Sequence, residues 1–382
     1  MRTEIIKEGK TEVLVPILDN NHNYPPASAP VFYNPKMELC RDINIASIGA
    51  FSKGQNLSYI DALSATGISG IRVANEAGAG ITDVTINDFS KSAYELIQKN
   101  VEHMEDITVH RQNANVLLLK RRYDIVDIDP FGSPTPFLDA ASQSVEKLLC
   151  VTATDTAPLC GAHKNSGVRK YACVPLKTEY HKEMGVRILT GKILRDLACF
   201  DKSGKPLLSY TTRHYVRTYL KIEKSAKKAD KCIEKLGFIL HCFNCGFRFF
   251  EYGLAIFVSK TCPNCNDKLS LAGPLYLGPI HEKKFCKKVL GELESIELGT
   301  YKKAVKIVQA CLNELGVNIP YYYDHHVACK RLKVTPTTLD ELISKLQNEN
   351  FSATKTHFSG TSFKTNARID EIEKIIKVLD SS

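Results

Sequence analysis

The sequence predicts an α/β fold, in which a Rossmann-like sheet is followed by a smaller, basic α+β domain with a four-cysteine zinc ribbon. Three observations support this prediction. Short β-branched strands alternate with helical segments over residues 58–160, two C-x-x-C pairs follow near residue 250, and charge is divided unevenly. Residues 1–200 carry 22 Lys and Arg against 23 Asp and Glu, whereas residues 201–382 carry 29 against 19. The second half therefore has the charge of a polyanion-binding domain.

The first strands of the predicted sheet end in residues suited to a nucleotide-like ligand. Residues 58–72 predict a strand, a turn and a helix, with Gly67 and Gly70 where the backbone approaches a bound group closely. The next strand ends in Asp88, about 20 residues after the glycines, where an acid accepts hydrogen bonds from ribose hydroxyls. A third predicted strand leads to the small polar residues 113–115.

The fourth predicted strand, from residue 123, stops abruptly at Asp129-Pro130-Phe131. Pro130 cannot continue a central strand, so Asp129 lies at the carboxyl end, where open α/β sheets bind ligands. A carboxylate that accepts from an exocyclic amine, a rigid proline and a ring that stacks on a base suit methyl transfer to that amine. Taken alone, a strand-to-loop turn with a capping Asp explains the motif equally well. The ordered set of four strand ends favours an S-adenosylmethionine-dependent methyltransferase over a dehydrogenase.

Two cysteine pairs, separated by sixteen residues, form a metal signature. Each pair is followed by a turn-forming residue, Gly246 in one case and Asn266 in the other. The spacing predicts a structural Zn²⁺ site in which protein fills all four positions, and a disulfide pair is the alternative. The predicted ligands are Cys242, Cys245, Cys262 and Cys265.

The remaining composition predicts a cytoplasmic protein. The chain has 13 cysteines, its first ten residues lack the apolar core of a signal peptide, and no run of 18 apolar residues occurs. Thirteen cysteines without an export signal favour a reducing compartment, which disfavours the disulfide alternative. We expect a monomer with no membrane contact.

We divide the chain into two predicted domains. Residues 1–200 form the methyltransferase domain, whose N-terminal arm precedes the cofactor strand, and residues 201–382 form the basic domain that would bind a polyanion. Its early strands place Arg213, Arg217 and Lys221 on a polar face. Two smaller modules are predicted within it: the zinc ribbon at about 238–270, and a winged-helix-like end at about 320–382 with an N-cap at Thr335. An ordinary small α+β module fits that end equally well.

Taken in order, these residues resemble the tRNA (guanine-26-N2)-dimethyltransferase family. The resemblance covers nearly the whole chain, whose compact length is similar to that of archaeal members. It implies S-adenosylmethionine as cofactor, tRNA as partner and no role for DNA. The matching segments are residues 32–35, 40–42, 61–72, 87–88, 113–115, 127–134, 154–157, 214–217, both cysteine pairs and 357–367.

The resemblance also implies residue roles. Asp129 would be the catalytic carboxylate, and Phe32 and Phe131 would sandwich the guanine. The family usually has Asn where Cys40 precedes Arg41; if that Asn orients the arginine, another residue must orient Arg41 in this chain. Position 113 is an acid in many members and Asn here. The implied cofactor-binding residues are Arg41, Asp61, Gly67, Arg72, Asp88, Asn113 and Ala114.

The predicted activity is methylation of the exocyclic N2 amine of a guanine in tRNA, once or twice, and position 26 comes only from the resemblance. Two other classes stay open. A methyltransferase acting on a protein glutamine or a DNA base would use the same carboxylate and ring. A nucleic-acid binder with a degenerate sheet would need neither. The basic, zinc-bearing second half favours a large structured RNA.

Overall fold

The computed structural model describes residues 1–17 and 30–380. Its strands are β1 (Thr3–Glu8), β2 (Thr11–Pro16), β3 (Leu57–Asp61), β4 (Ile81–Asn87), β5 (Ile107–His110), β6 (Tyr123–Ile128), β7 (Val145–Ala153), β8 (Lys202–Thr212), β9 (Tyr215–Lys224), β10 (Leu236–His241), β11 (Arg248–Tyr252), β12 (Ser270–Tyr276), β13 (Tyr323–Asp324), β14 (Ala353–Lys355) and β15 (Ser362–Thr365).

Helices connect and flank these strands. They are α1 (Glu38–Ser52), α2 (Ile68–Glu76), α3 (Lys91–Asn100), α4 (Ala114–Lys120), α5 (Leu138–Ser144), α6 (Thr156–Leu159), α7 (Lys164–Tyr171), α8 (His181–Ala198), α9 (Ala226–Ile233), α10 (Lys283–Ser295), α11 (Tyr301–Glu314), α12 (His325–Leu332), α13 (Leu339–Asn348) and α14 (Ile369–Asp380).

Seven strands form one sheet in the order β5-β4-β3-β6-β7-β9-β8. The pairs β5–β4, β4–β3, β3–β6 and β6–β7 are parallel, and helices connect them in sequence. Strands β8 and β9 are joined by residues 213–214, as in a β-hairpin. The order reverses direction between β3 and β6, and ligands of open α/β sheets bind at such a point. The fold is therefore Rossmann-like, as the sequence predicted.

The strands β3, β6 and β7 of this sheet are buried along most of their length, which fits their continuous apolar sequences. In β6, Ile125, Val126 and Ile128 are 0% exposed. In the parallel pairing of β3 with β6, Tyr59 lies opposite Ile125. The interiors of these three strands are closed to a ligand, so polar residues at their carboxyl ends define the candidate site.

The chain divides into two compact units that are discontinuous in sequence. This division differs from the single boundary near residue 200 that charge predicted. Unit 1 contains residues 1–154, 219–224 and 284–309; unit 2 contains residues 155–218, 225–283 and 310–382.

Unit 2 contains two further three-stranded sheets. One has the order β11-β10-β12 and carries the four cysteines; the other has the order β13-β15-β14 and lies among α12, α13 and α14 in sequence. The predicted N-cap at Thr335 is wrong. Helix α13 is capped by Thr338, whose side chain accepts from the backbone N–H of Glu341 while Glu341 bonds back to the Thr338 backbone. This reciprocal capping box satisfies two helix-end donors and fixes the start of α13.

Candidate active site and cysteine ribbon

Three aspartates meet at the carboxyl ends of β3 and β6. Asp61 ends β3, and its register partner is Asp127, two residues before Asp129. Asp61 is 2% exposed, and its burial, followed by the charges of Asp127 and Asp129, raises its pKa to about 8. The three carboxyl groups therefore influence one another electrostatically, and this edge of the sheet favours a cationic ligand.

The two β6 aspartates have different surroundings. Asp127 is 3% exposed, and its carboxylate accepts hydrogen bonds from Asn44 Nδ2 at 3.0 Å and from the Tyr59 hydroxyl at 3.2 Å. Asp129 is half-buried and lies just beyond the strand, before buried Pro130. Asp127 is thus tied into the interior, whereas Asp129 can be reached from the edge of the sheet.

The loop after Asp129 presents an aromatic ring. Phe131 is 74% exposed. Gly132, with φ of +102°, donates its N–H to Thr154 Oγ1 at 2.6 Å and accepts from the Thr154 N–H at 2.9 Å. Glycine fits this backbone conformation, which L side chains rarely adopt. The loop is therefore fixed to the end of β7 while its ring points outward.

Phe32 lies directly against Phe131, with 5.6 Å between the ring centroids and 59° between the ring planes. A flat base held between two parallel rings needs about 7 Å, because each stacking contact takes about 3.5 Å. The structure thus brings together the two rings predicted to sandwich a guanine. They touch each other and must separate and turn to admit a base.

The glycine turn after β3 uses its two glycines differently. Gly67 has φ of +81° and is the N-cap residue of α2. A Cβ on Gly70 would lie 2.7 Å from the Ile86 side chain, so Gly70 lets α2 pack on β4. Asp61 accepts from the Gly70 N–H at 3.2 Å. The close approach predicted for Gly70 is therefore to the sheet.

The predicted ribose acid is placed by backbone hydrogen bonds. Asp88 accepts from the N–H groups of Ala65 at 2.9 Å and Ser90 at 2.8 Å, one on each carboxylate oxygen. Burial raises its pKa, although these two donors act in the opposite direction. The carboxylate is half-buried and keeps further lone pairs for other donors. It is therefore held rigidly at the end of β4.

The third strand end supplies Asn113 and Ala114. The Asn113 side chain is exposed and caps α4, accepting from the N–H groups of Asn115 at 3.0 Å and Val116 at 3.4 Å. Ala114 is the buried first residue of that helix. Asn and Asp are both good N-caps, so an acid or an amide at position 113 preserves this local structure.

The two arginines of the predicted cofactor site lie in a buried ion-pair network. Arg41 makes a bidentate pair with Glu8, with Nε–Oε2 at 2.7 Å and Nη2–Oε1 at 2.5 Å. Arg72 is 0% exposed and contacts Asp42 at 2.8 Å, Glu76 at 3.0 Å and Glu8 at 3.3 Å. A direct cofactor contact by Arg72 would require this network to rearrange. No pattern in the sequence of the N-terminal hairpin identifies Glu8 as its centre.

The four predicted zinc ligands converge in unit 2. Their sulfur atoms all lie within 4.8 Å of one another, with Cys242–Cys265 at 3.5 Å and Cys245–Cys262 at 3.6 Å. Four sulfurs around one zinc ion at about 2.3 Å would lie about 3.8 Å apart. All four cysteines are free thiols, and these separations are far from the bond length of about 2.05 Å in a disulfide. The donor set fits a tetrahedral thiolate site.

Each cysteine pair is held by the same kind of turn. The N–H of Gly246 donates to the Cys242 carbonyl, and the N–H of Asn266 donates to the Cys262 carbonyl, both at 2.9 Å. Both turn residues have positive φ, +73° for Gly246 and +56° for Asn266. The turn residues predicted from sequence therefore supply the left-handed conformation that points both sulfurs of a pair inward.

A second cluster of potential metal ligands lies elsewhere in unit 2, formed by His281, Cys311 and His357. Backbone N–H groups of β8 donate to His281 Nδ1 at 3.4 Å and to His357 Nε2 at 3.3 Å. A neutral ring that accepts such a bond has its proton on the other nitrogen, which here faces Glu314: His357 Nδ1 is 2.6 Å from Oε1 and His281 Nε2 is 3.6 Å from Oε2. A metal would need those same nitrogens unprotonated, so the cluster fits a Glu-bridged histidine pair better than a metal site.

One predicted surface cation is misplaced. Arg217 is 1% exposed, so the prediction that it lies on a polar face is wrong. Its strand, β9, lies between β7 and β8 in the sheet, and its first six residues are all buried. Arg213 and Lys221 are exposed as predicted. Among residues 1–17 and 30–380, no helix combines the length and apolar character needed to span a bilayer.

The sheet order, the glycine turn and the strand-end acids define a Rossmann-like methyltransferase. A family model described as N2,N2-dimethylguanosine tRNA methyltransferase matches residues 9–377. The chain belongs to this family.

Relatives match along their whole length. The tRNA (guanine(26)-N(2))-dimethyltransferase of Methanosarcina mazei is 50% identical over 386 residues, covering 98% of each chain. The protein of the same name from Methanobrevibacter smithii is 40% identical and covers 100% of this chain and 99% of its own. A solved structure of Trm1 from Pyrococcus horikoshii with S-adenosyl-L-methionine is 36% identical, with a TM-score of 0.87, and covers 98% of this chain and 99% of that one.

Proposed function

We propose that this protein methylates the exocyclic N2 amine of guanine 26 in tRNA, first to N2-methylguanosine and then to N2,N2-dimethylguanosine, with S-adenosylmethionine as methyl donor. The observation that carries the proposal is the half-buried carboxylate of Asp129 beside the contacting rings of Phe32 and Phe131. Family membership and full-length relatives support the activity, the substrate and the cofactor.

The strand ends of unit 1 form the proposed cofactor site. Asp88, fixed by two backbone donors, would accept from the ribose hydroxyls, and Asn113 and Ala114 would face the adenine. The amino-acid portion of the cofactor would be held by the Gly67 turn, by the carboxyl groups around Asp61 and by the guanidinium of Arg41. Its ammonium needs negatively charged partners, and its carboxylate needs positively charged ones. Arg72 would contribute by holding Glu8 and Asp42 in place. The bound cofactor supplies a methyl group on a positively charged sulfur.

The protein's contribution to the reaction is alignment and charge. Phe32 and Phe131 would separate to stack on the two faces of a flipped guanine, which excludes water and fixes the plane of the base. Asp129 would accept a hydrogen bond from N2–H, which draws the nitrogen lone pair out of ring conjugation. It would then take the proton that the nitrogen loses on forming its bond to carbon. A monomethylated amine keeps one N–H, so the same carboxylate serves the second transfer.

The second half of the chain would bind the rest of the tRNA. Exposed lysines on α10, at positions 284, 287 and 288, lie at helical spacing and form a basic face. Zn²⁺ held by the four cysteines would stabilise the ribbon without taking part in catalysis, because protein ligands fill all four positions. We further propose that the protein acts as a cytoplasmic monomer that engages neither DNA nor a membrane.

The test uses two tRNA transcripts that differ only at nucleotide 26, guanine in one and adenine in the other. Each is incubated with the protein and S-adenosylmethionine carrying a radioactive methyl group. We expect incorporation that approaches two methyl groups per guanine-26 transcript and none in the adenine-26 transcript. Equal incorporation into both would contradict the assigned position. Labelling of protein or DNA instead of tRNA would favour the alternative substrates.

A further inference from the structure

We infer that Glu8, in the N-terminal hairpin, is a positioning residue that holds both Arg41 and the segment bearing Phe32 for the reaction. The inference rests on the proposed function, since Arg41 and Phe32 are assigned there to the cofactor and the base. Glu8 is remote in sequence from every strand end of the site, and the described residues place it 4% exposed at the end of β1.

Glu8 connects several groups at once. Its Oε2 accepts from Arg41 Nε at 2.7 Å and from Arg72 Nη1 at 3.3 Å, and its Oε1 accepts from Arg41 Nη2 at 2.5 Å. Oε1 also accepts from the Tyr33 hydroxyl at 3.0 Å. A guanidinium held by two parallel bonds has a fixed plane and direction, which a single contact does not provide. Glu8 therefore fixes the orientation of Arg41.

The same carboxylate fixes the segment that carries Phe32. Tyr33 follows Phe32 directly and is tied to Glu8 through its hydroxyl. Arg41 Nη2 also donates to the backbone carbonyl of Asn34 at 3.3 Å. Residues 32–34 are thus attached to the Glu8–Arg41 pair at two points, one by a side chain and one by the backbone. Any shift of Glu8 would move Arg41 and this segment together.

The hairpin tip is shaped to fit this position. Strands β1 and β2 pair antiparallel up to Glu8 and Thr11, and Gly9 in the turn has φ of +58°. A Cβ on Gly9 would lie 2.4 Å from Glu76 Oε2, so the tip packs against the Arg72–Glu76 pair with no room for a side chain. The Thr11 hydroxyl also donates to Glu76 at 2.6 Å. The hairpin tip therefore lies against the same buried ion-pair network in which Glu8 meets Arg41.

The chain offers a matched control for testing Glu8. Glu76 is also buried and also pairs bidentately with an arginine, but its partner is Arg72, and it contacts neither Arg41 nor Tyr33 in the described residues. Glu8→Gln and Glu76→Gln each remove one buried negative charge from the same network. A purely structural role for Glu8 predicts similar behaviour for both variants, whereas a positioning role separates them.

The first measurement is calorimetric binding of S-adenosylmethionine to the folded full-length variants. We expect Glu8→Gln to weaken binding by about 10- to 100-fold, as for loss of hydrogen bonds to a charged group. The affinity of Glu76→Gln for S-adenosylmethionine should stay within about 3-fold of the wild-type value, because Arg72 keeps its contacts with Asp42 and Glu8. Wild-type affinity in Glu8→Gln, or equal weakening in both variants, would overturn the inference. A wild-type protein that binds no S-adenosylmethionine would instead refute the proposed function.

Two further variants keep the test decisive if Glu8→Gln does not fold. Glu8→Asp keeps the charge but withdraws both oxygens by one methylene, and we expect about 10-fold weaker cofactor binding, since small misplacements in such sites are costly. Tyr33→Phe removes only the tie to the Phe32 segment. It should lower kcat/KM for tRNA several-fold while cofactor affinity stays at the wild-type value. Wild-type behaviour of both variants would overturn the inference.

Discussion

The strand-end edge of unit 1 and the cysteine ribbon of unit 2 are both built from turns that need positive φ, yet they differ in what those turns leave open. In the ribbon, Gly246 and Asn266 turn four sulfurs toward one another within 4.8 Å. At the edge, Gly132 turns the chain so that Phe131 is 74% exposed beside half-buried Asp129. The four sulfurs of the ribbon can fill all the positions around a metal ion, so that site stabilises structure. The ring and the carboxylate at the edge remain available to a substrate.

The largest effect of a substitution is expected at the ribbon. Replacing Cys242 and Cys245 with Ser should release the metal, because two of four thiolates are lost, and structural zinc contributes roughly 10–16 kcal/mol in small zinc domains. We expect the ribbon to unfold, tRNA binding to be lost and S-adenosylmethionine binding to persist, since the proposed cofactor residues all lie in unit 1. Metal content by emission spectroscopy and calorimetry with each ligand measure this. A metal-free wild-type protein would contradict the zinc proposal.

The next largest effect is expected at the open edge. Asp129→Asn should lower the rate of methyl transfer about 10²- to 10³-fold while cofactor affinity stays near the wild-type value, because the amide keeps one acceptor but not the charge. Asp127→Asn is the matched control, since Asn44 and Tyr59 already occupy that carboxylate. Single-turnover kinetics at saturating cofactor and tRNA separate the two. A larger loss in Asp127→Asn would make Asp127 the carboxylate that faces the amine.

A smaller effect is expected where the edge meets the cofactor. Asp88→Ala should raise the Michaelis constant for S-adenosylmethionine and leave tRNA affinity nearly unchanged. A hydrogen bond to a charged group is worth about 1.5–3 kcal/mol, which corresponds to roughly 10- to 150-fold. Steady-state kinetics with each substrate varied in turn provide the values. A defect confined to tRNA would show that Asp88 only organises the loop through Ala65 and Ser90.

The smallest expected effect concerns the basic half. With roughly 5 phosphate contacts, the logarithm of tRNA affinity should fall against the logarithm of salt concentration with a slope near −4. Charge reversal at exposed Lys284, Lys287 or Lys288 should flatten that slope by about 0.7–0.9 for each lost contact. Lys99→Glu, an exposed site in the first half, is the control and should leave the slope unchanged. A tRNA affinity that does not change with salt concentration would contradict the proposal that the basic half binds the RNA backbone.

The sequence predicted what local rules determine. The cysteine turns, the turn at Gly67 and the placement of Asp129 at a strand end each depend on a few neighbouring residues, and the structure shows all three. The Thr338 capping box was also readable locally and was missed because Pro336 suggested an earlier helix start. The roles of the site residues themselves stay predictions.

Long-range contacts account for what the sequence did not predict. Glu8 meets Arg41 across 33 residues and Arg72 across 64, and nothing in the hairpin sequence marks its partners. Burial of Arg217 follows from the position of β9 inside the sheet, between β7 and β8, which alternation of polar and apolar residues does not reveal. The contact between Phe32 and Phe131 likewise requires the folded sheet. The sequence supplies the chemical groups, and the topology decides which of them meet.

The most direct test of the central claim identifies the product. The wild-type protein is incubated with guanine-26 tRNA and S-adenosylmethionine that carries a deuterated methyl group, and the digested nucleosides are separated and analysed by mass spectrometry. We expect a guanosine with one labelled methyl on N2 to appear first and then give way to guanosine with two labelled methyls on N2. Label on a ring nitrogen of guanine, or on any other base, would contradict the assignment of Asp129 and the two rings to the N2 amine.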